Sequence, residues 1–181
     1  MEDHALTPLG EYPNAAVARE RVFEFFCRRQ GTPMVFLRLS YAIELRYGVL
    51  VDLATKLWKR EPIDLTTGFF NCIWQGDANE MVIRSLAHGA SPPLAINLTG
   101  AAPVSVRQTA TSLGLLMGRE PRFVAQESPT AFLSNTACLR QHLGESATSL
   151  ETMIRWVADW VMAGGHTYNR PTHFEVRDGK Y

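Results

Sequence analysis

Ten residues, Met34-Val-Phe-Leu-Arg-Leu-Ser-Tyr-Ala-Ile43, arrive directly after a helical stretch and a Gly31-Thr32-Pro33 break, and they leave few folds open. The run is too short and too continuously apolar for a helix lying on a surface. It reads as a strand covered on both faces, the kind that parallel sheets contain. A helix that feeds such a strand is one step of an α/β fold.

The rest of the sequence repeats that alternation. A first helix is expected over Pro13 to Gln30, because proline suits the first turn and Gly31 with Pro33 ends the pattern. Its apolar face is Val22, Phe23, Phe26 and Cys27. Tyr47 to Lys59 reads as a second helix, ended by Pro62. Short strands follow at Pro62 to Leu65 and Phe69 to Trp74, with the turn-forming Thr66-Thr67-Gly68 between them. Asp77 is expected to cap a helix that ends at His88-Gly89, with Glu80 three residues on and Ala78, Met81, Val82, Ser85 and Leu86 as its buried stripe. Pro93 to Leu98 is another buried strand.

After Gly100, Ser105 and Gln108 form a capping box for a helix striped by Val106, Ala110, Leu113 and Met117 and closed by Gly118. A strand at Arg122 to Ala125 and a helix near Asn135 to His142 come next. Thr148 and Glu151 then predict a cap for the strongest helix, in which Leu150, Met153, Ile154, Val157, Ala158 and Val161 recur at helical spacing before Gly164-Gly165. The expected organisation is one unit over 1–165 and an extended polar tail over 166–181, lying on the surface or on a partner. No internal repeat or low-complexity segment occurs.

Composition narrows the function classes. The 181 residues are 46% hydrophobic and carry 18 basic against 18 acidic side chains. That is enough apolar material for a core and gives no basic excess for nucleic acid or an anionic membrane. No stretch reaches membrane-span length and the N-terminus has no signal-like apolar region, so the expected compartment is the cytoplasm. Cys27, Cys72 and Cys138 are far apart and flanked by apolar residues, which reads as reduced cysteines in a core. The five histidines show no metal-ligand spacing, so no metal is expected. Gly-x-Gly-x-x-Gly, the P-loop and Gly-x-Ser-x-Gly are all absent from the sequence.

Four segments carry a resemblance. They are Tyr12-Pro-Asn-Ala-Ala-Val-Ala-Arg-Glu20, Leu37-Arg-Leu-Ser40, Trp74-Gln-Gly-Asp-Ala78 and Ile96-Asn-Leu-Thr-Gly100. In this order the chain resembles the C-terminal half of the NAD(P)-dependent epimerase/dehydratase family, the extended short-chain dehydrogenases, from about Glu2 to about Trp160. The resemblance implies an α/β fold, the C-terminal part of a Rossmann-like scaffold with few parallel strands, packed helices and a small substrate-binding subdomain.

It also implies roles. Tyr12 stands at the family's catalytic tyrosine, Leu39 and Ser40 at the cofactor, and Tyr41 and Arg46 at the substrate. The chemistry is removal of a sugar hydroxyl proton as hydride passes to nicotinamide, which needs a base whose pKa a nearby cation lowers. In the family that cation is a Lys four residues after the Tyr, and here the residue is Ala16. Arg19, on the same side of the helix, is a poor geometric substitute for it. Tyr41 stands where the family often places a substrate-contacting Asn, and Phe70 where it commonly has an Arg. The dinucleotide loop of the family precedes the part matched here. NAD or NADP is therefore expected in the complete family member and not on this chain alone.

The implied substrate is a nucleotide sugar or related sugar. The expected partners are a second copy of the chain or an N-terminal half that would cover the open side of the strand Met34 to Ile43. Two functions stay open from the sequence. One is the substrate-binding portion of an epimerase, dehydratase or dehydrogenase, inactive in isolation, and the other is a non-catalytic binding or assembly module on the same scaffold. Each residue also has a plainer reading. On that reading Tyr12 is a surface tyrosine before a helix, Arg38 a strand residue satisfied by carbonyls, Asp77 a cap, Asn97 a turn former, and the tryptophans core or interface.

Overall fold

A computed structural model of the protein describes residues 2–176. The order of elements is α1 (Glu11–Gln30), β1 (Val35–Leu39), β2 (Ala42–Ile43), α2 (Val49–Trp58), β3 (Ile63–Asp64), β4 (Phe69–Phe70), β5 (Ile73–Trp74) and α3 (Gln75–Ser85). A 3-10 turn, Leu86–His88, extends α3. Then follow β6 (Leu94–Leu98), β7 (Val104–Ser105), α4 (Val106–Met117), β8 (Phe123–Val124), α5 (Ala137–Leu143) and α6 (Leu150–Met162). The alternation read from the sequence is an α/β fold.

The strands pair in twos. β1 and β6 run parallel, with Val35 opposite Leu94 and Leu39 opposite Leu98. β2 pairs with β5 and β3 with β8, both parallel, while β4 and β7 are antiparallel. Two expected strands are each split. Met34 to Ile43 breaks at Ser40 and Tyr41, where Tyr41 takes a left-handed backbone (φ 46°), so Ala42 leaves the β1 ladder and pairs with Ile73 instead. That conformation is costly for a side chain with a Cβ, and Asn tolerates it far better than Tyr. Phe69 to Trp74 likewise divides at Asn71 and Cys72, the two halves joining different partners.

Most of the core lies between α2, α4 and α6. Leu50, Leu53 and Leu57 of α2, Ala110 and Leu113 of α4, and Ile154, Val157 and Val161 of α6 close on one another. A second, smaller cluster lies under β6, where Ile96 and Leu98 meet Met81 of α3 and Leu139 and Leu143 of α5. Each large apolar side chain buried in this way contributes on the order of 1.5–3 kcal/mol. Residues 166–176 run without helix or strand across α2. Thr172 donates from its amide and its hydroxyl to Asp52 (2.7 and 2.6 Å), Lys56 pairs with Glu175 at 3.4 Å, and Phe174 is buried in the main core. The expected tail beyond residue 176 lies outside the described residues.

Capping separates the expectations. Ser105 caps α4 as expected, its side chain accepting from the Gln108 amide at 3.3 Å, and Gly118 closes the helix in the left-handed region. Two other caps differ. α3 begins at Gln75, and Asp77 is not its cap: it accepts from the amide and hydroxyl of Thr148 at 2.8 and 3.0 Å. Thr148 is thereby taken from its expected place, and Ser149 caps α6 by accepting from the Thr152 amide at 3.1 Å. The stripe of α3 is also narrower than expected: Ala78, Met81 and Ser85 are buried, whereas Val82 and Leu86 are exposed. The α1 helix starts two residues early, at Glu11.

Candidate functional site

Leu39, Ser40 and Tyr41 stand at the C-terminal end of β1 and Arg46 three residues past β2, the edge where ligands of parallel α/β sheets bind. Tyr12 lies in the first turn of α1 and is 72% exposed. Leu39 ends β1 with its side chain about half exposed, and the Ser40 amide donates to the Leu98 carbonyl at 3.1 Å, tying the β1 end to β6.

Two residues of the resemblance bond directly to each other. Arg38 of β1 reaches Glu20 of α1 through two nitrogens at 2.9 and 2.8 Å and also donates to the Glu2 carbonyl at 3.0 Å. The Glu20 hydrogen bonds, ahead of the loss from burial, raise the Arg38 pKa further and keep it charged. A side chain expected to be satisfied by carbonyls is thus held by a carboxylate, and its role is to clamp α1 onto β1. Asn97, on the neighbouring strand, donates to the Asn135 carbonyl at 3.0 Å.

Tyr41 and Arg46 meet different surroundings. The Tyr41 ring lies edge-on to Phe70 at 6.2 Å, and Phe174 packs on the other ring contact of Phe70, also at 6.2 Å. Phe70 is fully buried, so the position at which the family commonly has a charged Arg is here the centre of an aromatic knot. Arg46 pairs with Glu44 at 2.8 Å and stands over the Tyr168 ring at 4.9 Å, and its carbonyl accepts from the Tyr168 amide. It lines a pocket of about 220 Å³ with Asp52, Lys56, Lys59 and Arg170, formed where the tail crosses α2.

A second cavity, of about 280 Å³, opens at the C-terminal end of β6. Cys72, Thr99, Gly100, Arg140, Ser149 and Met153 are among its walls. Its shape depends on two residues. Gly100 passes so close to the Cys72 carbonyl oxygen that a Cβ would overlap it. Asn71, buried, donates to the Gly100 and Ala102 carbonyls (3.1 and 3.3 Å) and accepts from the Ser134 amide (2.8 Å), which pins the loop after β6 to the segment before α5. The Thr99 hydroxyl is buried without a hydrogen-bond partner among the described residues. Burial pushes the Cys72 thiol up to about 12, so this wall offers no thiolate nucleophile. Sequence reasoning singled out Thr99 and Gly100 only as part of a motif and missed Arg140, which lines the cavity, and Asn71, which holds the loop that shapes it, both through tertiary contacts.

Among the described residues no group of three His, Cys, Asp or Glu is placed to hold a metal ion, and no helix is long and apolar enough to cross a membrane.

No protein-family model matches the chain, and no curated protein matches it. Solved structures do. A UDP-glucuronic acid 4-epimerase from Bacillus cereus in complex with UDP-glucuronic acid and NAD superimposes with a TM-score of 0.77 at 16% identity, over 90% of this chain and 56% of that one. A dTDP-glucose 4,6-dehydratase from Bacillus anthracis in complex with NAD gives 0.75 at 12% identity, over 90% and 55%. A UDP-glucose 4-epimerase with UDP-glucose from Thermotoga maritima gives 0.70 at 18% identity, over 91% and 60%. The chain therefore spans little more than half the length of the enzymes it superimposes on. Its fold is that of part of the epimerase/dehydratase scaffold, in line with the C-terminal half that the four sequence segments resemble.

Proposed function

We propose that the chain is the substrate-side portion of an NAD(P)-dependent epimerase/dehydratase scaffold, binding a nucleotide sugar or related sugar and carrying out no hydride transfer by itself. The observation that carries this reading is the superposition of nine-tenths of the chain on just over half of enzymes solved with UDP-sugars and NAD. The binding residues of this reading are Tyr41 and Arg46, joined by the cavity at the β6 end with its Thr99 hydroxyl and Arg140.

The residues present do not by themselves fit a dinucleotide. The helix N-terminus and glycine loop that hold a pyrophosphate have no counterpart in this sequence, Ala16 replaces the ribose-holding and pKa-lowering Lys, and the Ser40 amide is already used by Leu98. NAD or NADP, when bound to a complete assembly, supplies the hydride acceptor. In this reading Tyr12, about three-quarters exposed, is the residue that would handle the proton once such an assembly closes.

That surface supports a partner. β1 pairs only with β6 among the described strands, and α1 buries Cys27 alone while Val22, Phe23, Phe25 and Phe26 stay about half exposed. The occupant is a dinucleotide-binding half or a second copy of this chain, in a cytoplasmic setting that suits three free cysteines.

Calorimetry tests the reading. UDP-glucose or UDP-glucuronic acid is expected to bind saturably and NAD not at all, and Ala16→Lys alone is expected to restore no oxidation. Saturable NAD binding, or activity of that single variant, would refute it. A second reading, a non-catalytic binding or assembly module, draws on the Tyr41–Phe70–Phe174 knot, which fills with aromatic rings the place where the resemblance puts polar sugar-nucleotide contacts. It is favoured if neither UDP-sugar binds.

A further inference from the structure

Residues 166–176 cross the molecule without helix or strand and end over Phe70, beside the sugar-nucleotide contacts proposed above. We propose that this segment is an autoinhibitory strap, in which Phe174 occupies part of the ligand's place next to Phe70 and Tyr41 and leaves it when Thr172 and Glu175 release α2. The inference rests on the sugar-nucleotide reading and adds a closed state to it.

One side chain does the closing. Tyr41 and Phe70 hold the positions at which the resemblance has a substrate-contacting Asn and an Arg, and their rings meet edge-on at 6.2 Å. The Phe174 ring lies 6.2 Å from that of Phe70, and Phe174, 4% exposed, is the one buried residue between positions 166 and 176. Its neighbours Arg170, Pro171 and His173 are exposed, so a whole crossing of α2 delivers a single ring to the core.

The fastening is of a kind that comes undone locally. The strap's one backbone-to-backbone bond to the rest of the described chain runs from the Tyr168 amide to the Arg46 carbonyl, at 3.0 Å. Further along, side chains hold it. The Thr172 amide and hydroxyl share a single Asp52 oxygen, Oδ2, at 2.7 and 2.6 Å, and Glu175 reaches Lys56 at 3.4 Å. Asn169 and His173, on either side of Thr172, both take a left-handed backbone (φ 50° and 52°), which residues with a Cβ enter at a cost that release returns. Beneath the strap lies a pocket of about 220 Å³, with Thr55 and Lys59 of the α2 side facing Asn169 and Arg170 of the strap side among its walls, so the closed form is latched over a gap where a structural tail would pack. Few buried contacts and side-chain fastenings are the marks of a unit that opens without global unfolding.

Opening and binding are then linked. A ligand that fits only the open form binds with its intrinsic affinity scaled by the open fraction, so weakening the latch tightens binding although it touches no ligand contact. The full chain carrying Thr172→Val and Glu175→Gln loses the hydroxyl bond and the ion pair and keeps Phe174, Tyr41 and Arg46. Calorimetry is expected to show UDP-glucose binding this latch variant about tenfold more tightly than the unmodified chain, with Phe174→Ala moving the same way and Phe174→Leu by less. Amide exchange over residues 166–176 should quicken in the latch variant while α2, α4 and α6 keep their protection. Equal UDP-glucose affinity in the unmodified chain and the latch variant would overturn the strap and leave the sugar-nucleotide reading standing. So would exchange over 166–176 as slow as that of α6 in both chains, which marks Phe174 as ordinary core. Absence of UDP-glucose binding from every variant defeats the sugar-nucleotide reading, and the strap falls with it.

Discussion

Helices α2 and α1 both carry many apolar residues, yet they end in opposite conditions. In α2 six of ten residues are buried, Val49, Leu50, Val51, Leu53, Ala54 and Leu57, and their partners all come from this chain. In α1 only Cys27 is buried, although the helix is twice as long and carries three phenylalanines. One region is finished internally. The other is fastened by one charged clamp, Arg38 on Glu20, by the Cys27 thiol bonded to the Thr32 carbonyl, and by Ser91 donating to the Cys27 carbonyl, with its phenylalanines left outward. Apolar content therefore measures what a helix is able to bury, and the location of its partner decides whether it does.

The sharpest way to break this contrast is a pair of truncations. Leu53→Ala should lower unfolding free energy by about 2–5 kcal/mol, since it opens a cavity among α2, α4 and α6, while Phe26→Ala should stay within about 0.5 kcal/mol in the isolated chain. Urea denaturation measures both, and equal losses would place α1 in the same closed core. A smaller effect is expected from Arg38→Ala, about 1–3 kcal/mol, because a bidentate and partly buried carboxylate contact is lost. Hydrogen exchange should locate that loss in α1 and leave α2 amides protected.

Ser149→Ala should cost about 1 kcal/mol, as removal of a helix cap does. Thr148→Ala acts by another route, freeing Asp77 and loosening α3 from the start of α6; comparing chemical shifts of the Thr152 amide in the two variants separates them, because only Ser149→Ala removes its acceptor. The smallest effect is a pH dependence. Burial, outweighing the two Thr172 bonds, holds the Asp52 carboxyl above the usual range, with Glu175 pushing the same way and Lys56 opposing. A raised value means a contribution that is complete below the ordinary Asp pKa and is lost as pH rises through the raised one. Stability should thus gain slightly on mild acidification, and Asp52→Asn should flatten that part of the profile in thermal melts.

These contrasts explain what was legible in the sequence. Helices with a repeating stripe were readable because their information is local: Ser105 and Gln108 are three residues apart, and the α6 stripe from Met153 to Val161 is buried as its spacing required. The α6 cap was misplaced by one residue because Asp77, 71 positions away, recruits Thr148. The strand at Met34 to Ile43 was correctly typed but not its break, since nothing in Ser40-Tyr41-Ala42 announces a left-handed tyrosine; the cause is a second ladder with Ile73. The candidate site followed the same rule. Tyr12, Leu39, Ser40, Tyr41 and Arg46 were named from their order along the chain, whereas Asn71, Arg140 and the approach of Trp74 to Trp156 exist only after distant segments meet.

The segment that carries Phe174 has a practical implication. Its side chain caps Phe70 from a stretch of backbone that is neither helix nor strand and is fastened to α2 by Thr172 and Glu175. A protease that nicks the exposed residues around Asn169 would unfasten it and uncover the tyrosine and phenylalanine beneath, so a cleaved preparation would expose a sticky patch and acquire a new ligand-accessible hollow while most of its helical signal persisted.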